Sequence, residues 1–445
     1  MLKVLKFGGS SMADAHQFAK VKAIVDSDPS RRVVVVSAAG KRSRDDHKLT
    51  DLLYLCYAHL QYGVSCDAVF DMIRSRYLSI RDELHLSTPL EAEFAALREK
   101  MDRGISQDDL VSRGEYFAAR LMAEAAEAAG CPKGAISCLT MPSLDAVQEL
   151  LHAPQVRLIL ATGGGAMVRA AYSSGKPAIG VGAGNGPAYI HRSADIPRAV
   201  RDILRSKTFD NGTVCASEQS VIVERCCEAR VREEFRKQGC YFLNTEEAGR
   251  VARLLLRPDG TINPKVVGRT ACAVARMAGV TVPESTPVLL ANETEAGPAR
   301  PYSREKLCPI LAFFVEEDED TILRRICEVL AGEGAGHTFV LHAKDEAVVR
   351  RFALTVPVSR FLVNVPASLG GIGAETALFP ALTLGCGAVG GSSSSNNIGP
   401  LDLINLRRVA WGSEKPEPQP ETPDQPEPDS ALIARLTEEI LKKLR

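Results

Sequence analysis

The stretch SKTFDNGTVCASEQSVIV, residues Ser206 to Val223, decides how the chain is read, because it sets Cys215 between a turn and a strand. Asn211 and Gly212 form a turn signal before the cysteine, small and polar residues follow it, and Val221 to Val223 is an apolar run at strand spacing. A thiol on such a bend is within reach of a substrate. A bend rich in backbone N–H groups also favours negative charge, and stabilising the thiolate lowers a thiol pKa from its free value of about 8.5. The competing reading is a core cysteine, since the chain holds 12 of them and free cysteine is among the most buried residue types.

Working outward, 445 residues give length for roughly two or three domains and a packed core. With 54 basic and 55 acidic residues the net charge is -1, which gives no electrostatic support for a nucleic-acid or membrane-surface partner. The cysteines, including the adjacent pair Cys226 and Cys227, show neither framework spacing nor CxxC, so no disulfide scaffold and no metal site is expected. The N-terminus MLKVLKFGGSS lacks a signal peptide's long apolar region, and no run approaches the roughly 18 apolar residues of a membrane span. A soluble protein of a reducing cytoplasm is the expectation.

Upstream of the thiol, ATGGGAMVRAAYSSGKPAIGVGAGNGPAYI runs from Ala161 to Ile190. An apolar strand, Leu158 to Ala161, ends in Thr162, Gly163, Gly164 and Gly165, and a helix begins near Ala166. This order brings backbone close to a nucleotide at the carboxyl end of a parallel strand. Downstream, REKLCPILAFF (Arg304 to Phe314) sets Glu305 before a strand, and GHTFVLH (Gly336 to His342) starts a strand with His337. A neutral imidazole with a pKa near ~6.5 can take a proton from a thiol, or simply cap the strand. Helices are expected over Ile196–Lys207, Ala229–Gln238, Glu246–Leu256 and Pro264–Ala278, and a buried strand over Thr286–Ala291.

CASEQS, the glycine-rich segment 161–190 and REKLCPILAFF, in this order, resemble the CoA-acylating aldehyde dehydrogenases, from about Leu121 to Trp411. The resemblance implies an α/β fold with a partial Rossmann-type cofactor domain and an α/β catalytic domain. It implies Cys215 as nucleophile, with His337 the candidate to take the proton of the coenzyme A thiol near the thioester. Thr162, Gly163, Gly164 and Gly182 would lie beside NAD, with Glu305 on the nicotinamide ribose. A short aldehyde and coenzyme A would be the substrates of a homo-oligomer. Hydrolytic relatives carry a Glu and a Lys where this chain has GVGAGN (Gly180 to Asn185), the Glu serving as base for water; transfer to a thiol is therefore the better reading. Asn364, Pro366 and Ser368 would line the substrate channel. Leu382 to Pro400, a Gly/Ser/Asn run, reads alone as a flexible linker and by resemblance as a loop beside the active site, followed by a returning strand, Leu403 to Val409. The first half of that family's cofactor domain, with the strands that hold adenosine, has no counterpart.

The N-terminal part carries another resemblance. KFGGSS (Lys6 to Ser11), VVSAAGK (Val35 to Lys41), TDLL (Thr50 to Leu53) and SRGE (Ser112 to Glu115) are similar to the opening motifs of an aspartate kinase, an amino-acid-kinase-like α/β segment. That resemblance places Lys6, Gly8, Gly9 and Ser10 at the phosphates of ATP with Mg, and Thr50 and Glu115 at aspartate. It stops near Arg120, before the loops that hold metal and nucleotide, and phosphoryl transfer depends on those.

The expected organisation is therefore a kinase-like fragment over 1–117, a partial NAD-binding domain over 118–208, a catalytic domain over 209–375, and the loop and returning strand over 376–412. A Pro- and acid-rich disordered spacer would fill 413–430, and an amphipathic helix 431–445. Leu432, Ile433, Leu436, Ile440 and Leu444 share one face of that helix. Tethered terminal helices of this form resemble the peptides that direct enzymes into bacterial microcompartments, with self-association as the rival.

Overall fold

The computed structural model describes residues 3–7, 9–26, 31–36, 38–42, 46–128, 130 and 143–412, with 435 and 438 alone beyond them. Residues 1–404 form one compact unit and 405–445 another.

The first unit opens with two parallel strands, β1 (Lys3–Phe7) and β2 (Arg31–Val36), separated by helix α1 (Ala15–Asp26). Five helices follow: α2 (Leu49–Gln61), α3 (Asp67–Glu83), α4 (Leu90–Arg103), α5 (Gln107–Val111) and α6 (Arg113–Ala128). They share a core of Leu53, Phe70, Tyr77, Phe94, Phe117 and Leu121, in which Phe94 and Phe117 stack with centroids 4.3 Å apart. Helix α6 carries the chain through residues 117 and 118 without a break, because Phe117, Ala118, Leu121 and Met122 all enter this one core.

A small layer comes next: α7 (Leu144–His152), β3 (Ile159–Thr162), α8 (Gly165–Ser173) and β4 (Ala178–Val181), with β3 and β4 pairing in parallel. Its core is only Leu151, Ile159, Ala161 and Ala171 with their neighbours. Among the described residues this layer has two strands.

The main body is a seven-stranded parallel sheet. In chain order it comprises β5 (Gly186–Ile190), α9 (Ile196–Thr208), β6 (Glu218–Glu224), α10 (Glu228–Lys237), β7 (Tyr241–Phe242), α11 (Thr245–Leu255), α12 (Ala271–Met277), β8 (Leu289–Asn292), β9 (Ile310–Glu316), α13 (Glu319–Gly332), β10 (Gly336–His342), α14 (Glu346–Thr355), β11 (Val358–Val363) and α15 (Ala367–Gly371). The strand order is β11-β10-β5-β6-β9-β8-β7. Every residue of β5, β6 and β10 is buried, since helices cover both faces, and for that reason their apolar residues run together without alternation while polar residues stand at the strand ends. One face packs Tyr189, Ile222, Phe314 and Phe339 against α11 to α14, and the other packs Ile190, Val221, Phe313 and Val340 against α9 and α10.

Two expected elements are different. Of Pro264–Ala278 only Ala271–Met277 is helical, because Thr270 Oγ1 accepts the Ala273 N–H at 3.2 Å and so fixes the start. The returning strand at Leu403–Val409 is not formed: Pro400–Leu403 is a 3₁₀ turn. In the second unit, residues 405–412 have no regular structure and expose Leu406, Val409 and Trp411. A strand needs a ladder partner, and this segment has none among the described residues. The spacer 413–430 and the helix 431–445 lie outside the described residues, apart from Arg435 and Glu438, both helical.

Candidate active site

Helix α9 stops at Thr208, and Phe209–Gly212 makes one tight turn. Asp210, Asn211 and Gly212 all take positive φ, at 50°, 51° and 74°. Asp and Asn tolerate that region best among residues with a β-carbon. Gly212 is also confined by space, since a β-carbon there would sit 3.1 Å from the carbonyl oxygens of Lys207 and Cys308. Asn211 Nδ2 donates to the Gly268 carbonyl at 2.8 Å, and Thr213 Oγ1 to Asp210 Oδ2 at 2.7 Å. The turn delivers Cys215, half-buried, to the N-terminal end of β6.

Residues 182–185 cross from the C-terminal end of β4 to the N-terminal end of β5, and they form the wall facing the thiol. Gly184 lies so close that a β-carbon on it would be 1.9 Å from the Cys215 carbonyl oxygen. Its N–H donates to Glu305 Oε1 at 2.8 Å, and the Glu305 N–H donates to Glu333 Oε2 at 2.8 Å. Burial, then the neighbouring Glu305, pushes the Cys215 thiol up to about 12, against the opposing pull of Arg360. The expected thiolate-favouring bend is thus corrected: with water stripped away and a carboxyl beside it, the group rests as a neutral thiol. Burial also pushes Glu305 up to about 8.

His337 is fully buried on β10, with Nδ1 2.8 Å from Thr338 Oγ1 and Nε2 without a partner. Burial, then Arg360, drives its pKa down to about 3, so the ring is neutral. Gly186 lies between this strand and the thiol bend: a β-carbon there would be 3.2 Å from Thr338 O and 3.5 Å from Ser217 O. Arg360, from β11, was not singled out in the sequence. Its Nε donates to Thr338 Oγ1 at 3.3 Å and its terminal nitrogens to Asn397 Oδ1 at 3.3 Å and Gly385 O at 2.5 Å. The signal was a lone cation inside the apolar run VPVSRFLV.

Those bonds correct the reading of Leu382–Pro400 as a flexible linker. Gly385 and Gly387 donate to Asn396 O and Ser394 O, both at 2.9 Å. Gly336 faces the Cys386 carbonyl with no room for a β-carbon. On its outer side the loop docks on the small layer. Ser392 Oγ donates to Gly180 O at 2.8 Å, Ser393 Oγ to Ala178 O at 2.9 Å, and Thr383 Oγ1 is 3.1 Å from Thr162 Oγ1.

The other expected residues divide. Gly163 and Gly164 are exposed at the N-terminus of α8, and around Gly164 and Gly182 a β-carbon would meet nothing within 4 Å. Open glycines at a helix N-terminus leave backbone N–H groups free to meet an anionic group such as a phosphate. Asn364 is held at positive φ (52°) after β11, its amide bonded to both the N–H and the carbonyl of Ala343. Those bonds hold it at the C-terminal end of β11. Ser368 is fully buried, its N–H and hydroxyl bonded to Ser206. Sequence reading also missed the buried Lys207, Glu218, Gln219 and Lys306 around the bend, because charged residues at helix and strand ends ordinarily face solvent.

In the N-terminal part, Lys6, Gly9 and Ser10 lie on described backbone, and Gly8 is outside the described residues. Thr50 is half-buried in α2 and Glu115 exposed in the first turn of α6. A β-carbon on Gly114 would be 2.9 Å from Ala38 Cβ and 3.2 Å from Leu53 Cδ1, so the loop, TDLL and SRGE motifs meet at one point. Lys48 forms an ion pair with Asp210 of the turn before the thiol. Glu224, Cys226 and Cys227 could gather about a metal ion at the other end of β6, but Arg192 already engages that carboxylate through its N–H at 2.7 Å and Nε at 2.6 Å.

Residues 112–239 match the model of the aldehyde dehydrogenase family. The bifunctional aldehyde-alcohol dehydrogenase of Escherichia coli (strain K12) is 45% identical over 302 residues, 67% of this chain and 34% of that protein. The chain therefore spans about a third of the length of such curated relatives. An acetylating aldehyde dehydrogenase from Geobacillus thermoglucosidasius has a similar crystal structure, with TM-score 0.67 and 45% identity, covering 70% of this chain and 69% of that one. A propionaldehyde dehydrogenase from Rhodopseudomonas palustris, solved with bound CoA and an acylated cysteine, gives TM-score 0.59 and 26% identity over 67% of this chain and 68% of that one.

Proposed function

Because this chain belongs to the acylating aldehyde dehydrogenase family, we propose that it oxidises a short aldehyde with NAD through a thioester on Cys215 and passes the acyl group to coenzyme A. The observation that carries this reading is the placement of Cys215: half-buried on a strained bend, against Gly184, whose N–H is bonded to Glu305.

In this reading Cys215 gives up its proton as substrate enters, and His337, unpartnered at Nε2, is assigned to the proton of the coenzyme A thiol. The sulfur adds to the aldehyde carbon to form a thiohemiacetal. NAD, when bound, supplies the acceptor for the hydride that leaves this carbon. Glu305 would hold its nicotinamide ribose, and Thr162, Gly163, Gly164 and Gly182 would lie beside it. Collapse to the acyl thioester leaves Cys215 acylated, and the thiol of coenzyme A displaces it. The acylated cysteine of the Rhodopseudomonas palustris enzyme supports this sequence of bonds. Acetaldehyde and propionaldehyde are the substrates of first choice.

The test is NADH formation dependent on both aldehyde and coenzyme A, in the purified chain and its Cys215→Ala variant. Signal in the first and none in the second is expected. No signal in either defeats the reading.

Further parts of the proposal extend beyond the site. We carry the kinase-like character of 1–117 as a likeness of fold, supported by the meeting of Ala38, Leu53 and Gly114; aspartate-dependent ADP release that survives Cys215→Ala would make it an activity. The stripe on 431–445 is assigned to a microcompartment shell inside the cytoplasm, and its deletion should abolish shell association. A homo-oligomer is expected in light scattering.

A further inference from the structure

A buried amide between Cys215 and Glu305 takes part in none of these steps. Gln219 is fully buried on β6, four residues beyond the thiol. Its Oε1 accepts from Lys207 Nζ at 3.0 Å and from the Lys306 N–H at 3.2 Å. Its Nε2 donates to Ser217 Oγ at 3.4 Å, and that hydroxyl donates to Gly212 O at 3.3 Å. One side chain therefore reaches the last turn of α9, the thiol bend on either side of Cys215, and the residue next to Glu305.

The orientation of this amide is dictated by its donors. The Lys306 backbone N–H can only donate, and the fully buried Lys207 donates to the same oxygen, so the amide oxygen faces both and the NH₂ faces Ser217. Lys306 Nζ, also buried and with its pKa driven well below the ordinary lysine value by that burial, donates to Tyr302 O and Arg304 O at 2.6 Å each, which pins the segment presenting Glu305. The circuit closes through Glu305 Oε1, the Gly184 N–H and the close contact of Gly184 with the Cys215 carbonyl. A satisfied polar network in a low-dielectric interior is costly to rearrange, whereas a bend of left-handed residues alone is soft.

We propose that Gln219 is a positioning residue that holds the Cys215 bend and Glu305 in fixed register, with Lys207 orienting its amide. This rests on the reading of Cys215 and Glu305 as the reacting thiol and the cofactor-facing carboxylate. Fixed register means that each group feels the other's charge at a constant distance; a looser bend would weaken that coupling.

The coupling is measurable without aldehyde, coenzyme A or NAD. The rate at which iodoacetamide alkylates Cys215, followed by mass spectrometry of its peptide at pH 9, reports the thiolate fraction. Glu305→Gln removes a neighbouring negative charge and should raise that rate several-fold. In the Gln219→Met background the same replacement should raise it by less than half as much. An equal rise in both backgrounds, in variants with matching thermal midpoints, overturns the proposal. Should Gln219→Met strand Lys207 and fail to fold, Gln219→Glu retains the acceptor for Lys207 and Lys306 and removes the donor to Ser217, and the charge it adds is common to both members of the Glu305→Gln comparison in that background. That variant must show the same reduction, and an undiminished rise overturns the proposal. If NADH formation fails while the alkylation coupling behaves as expected, the proposed reaction falls and the role of Gln219 stands.

Discussion

The Gly184 amide donates to the Glu305 carboxylate at 2.8 Å while the α-carbon of the same glycine presses on the backbone of the thiol bend. One residue thereby sets both the Glu305 carboxylate and the bend that carries Cys215. Its φ is not in the left-handed region, so its glycine identity is a matter of space alone.

Gly184→Ala would put a β-carbon 1.9 Å from the Cys215 carbonyl oxygen, and no side-chain movement relieves a clash with backbone. The bend must shift by roughly an ångström, and misplacement of that size costs about 100-fold in rate. Initial rates of NADH formation read the loss; a variant within about twofold of the parent would refute the close approach.

Tyr172 fastens the glycine- and serine-rich loop to the small layer. Its hydroxyl accepts the Gly180 N–H at 2.9 Å and the Ser393 N–H at 3.0 Å. Tyr172→Phe leaves the Gly180 donor buried without a partner, at a cost of about 1–3 kcal/mol. Urea unfolding should show that loss, and limited proteolysis within 382–400 should quicken. Unchanged cleavage would mean that Arg360 and the contacts of Thr383, Ser392 and Ser393 hold the loop without Tyr172.

His337 makes stability depend on pH in a defined direction. Its ordinary value near 6.5 applies to the unfolded chain, and burial lowers it to about 3 in the folded one. Between these values the unfolded state binds more protons, so this contribution is complete above pH 6.5 and is lost as pH falls toward 3. Urea midpoints measured from pH 7 to pH 4.5 should decline less steeply in His337→Gln than in the parent. An identical slope would place the acid sensitivity elsewhere, with the similarly buried His342 the next group to replace.

Local signals were read correctly where the cause is local. Ile196–Lys207 emerges as α9 within a residue because its apolar stripe and the Asp195 cap both lie in the segment itself. Asn211 and Gly212 announce a turn since their side chains suit positive φ. Errors fall where the deciding partner is distant in the chain. Leu382–Pro400 has a linker's composition, yet Arg360 and Tyr172 hold it in place. Leu403–Val409 has a strand's composition, but strands exist only in pairs.

From sequence alone came the order of the elements, the two resemblances, and Cys215 as the candidate nucleophile, for these depend on spacing and on side-chain type. Tertiary structure alone decided that burial raises the pKa of the Cys215 thiol, that Gln219 bridges Lys207 and the Lys306 backbone while Arg360 holds Thr338, and that α6 runs unbroken past residue 117. A pKa is set by the water excluded and the charges gathered around a group, and those come from segments remote in the chain whose distances no local pattern encodes.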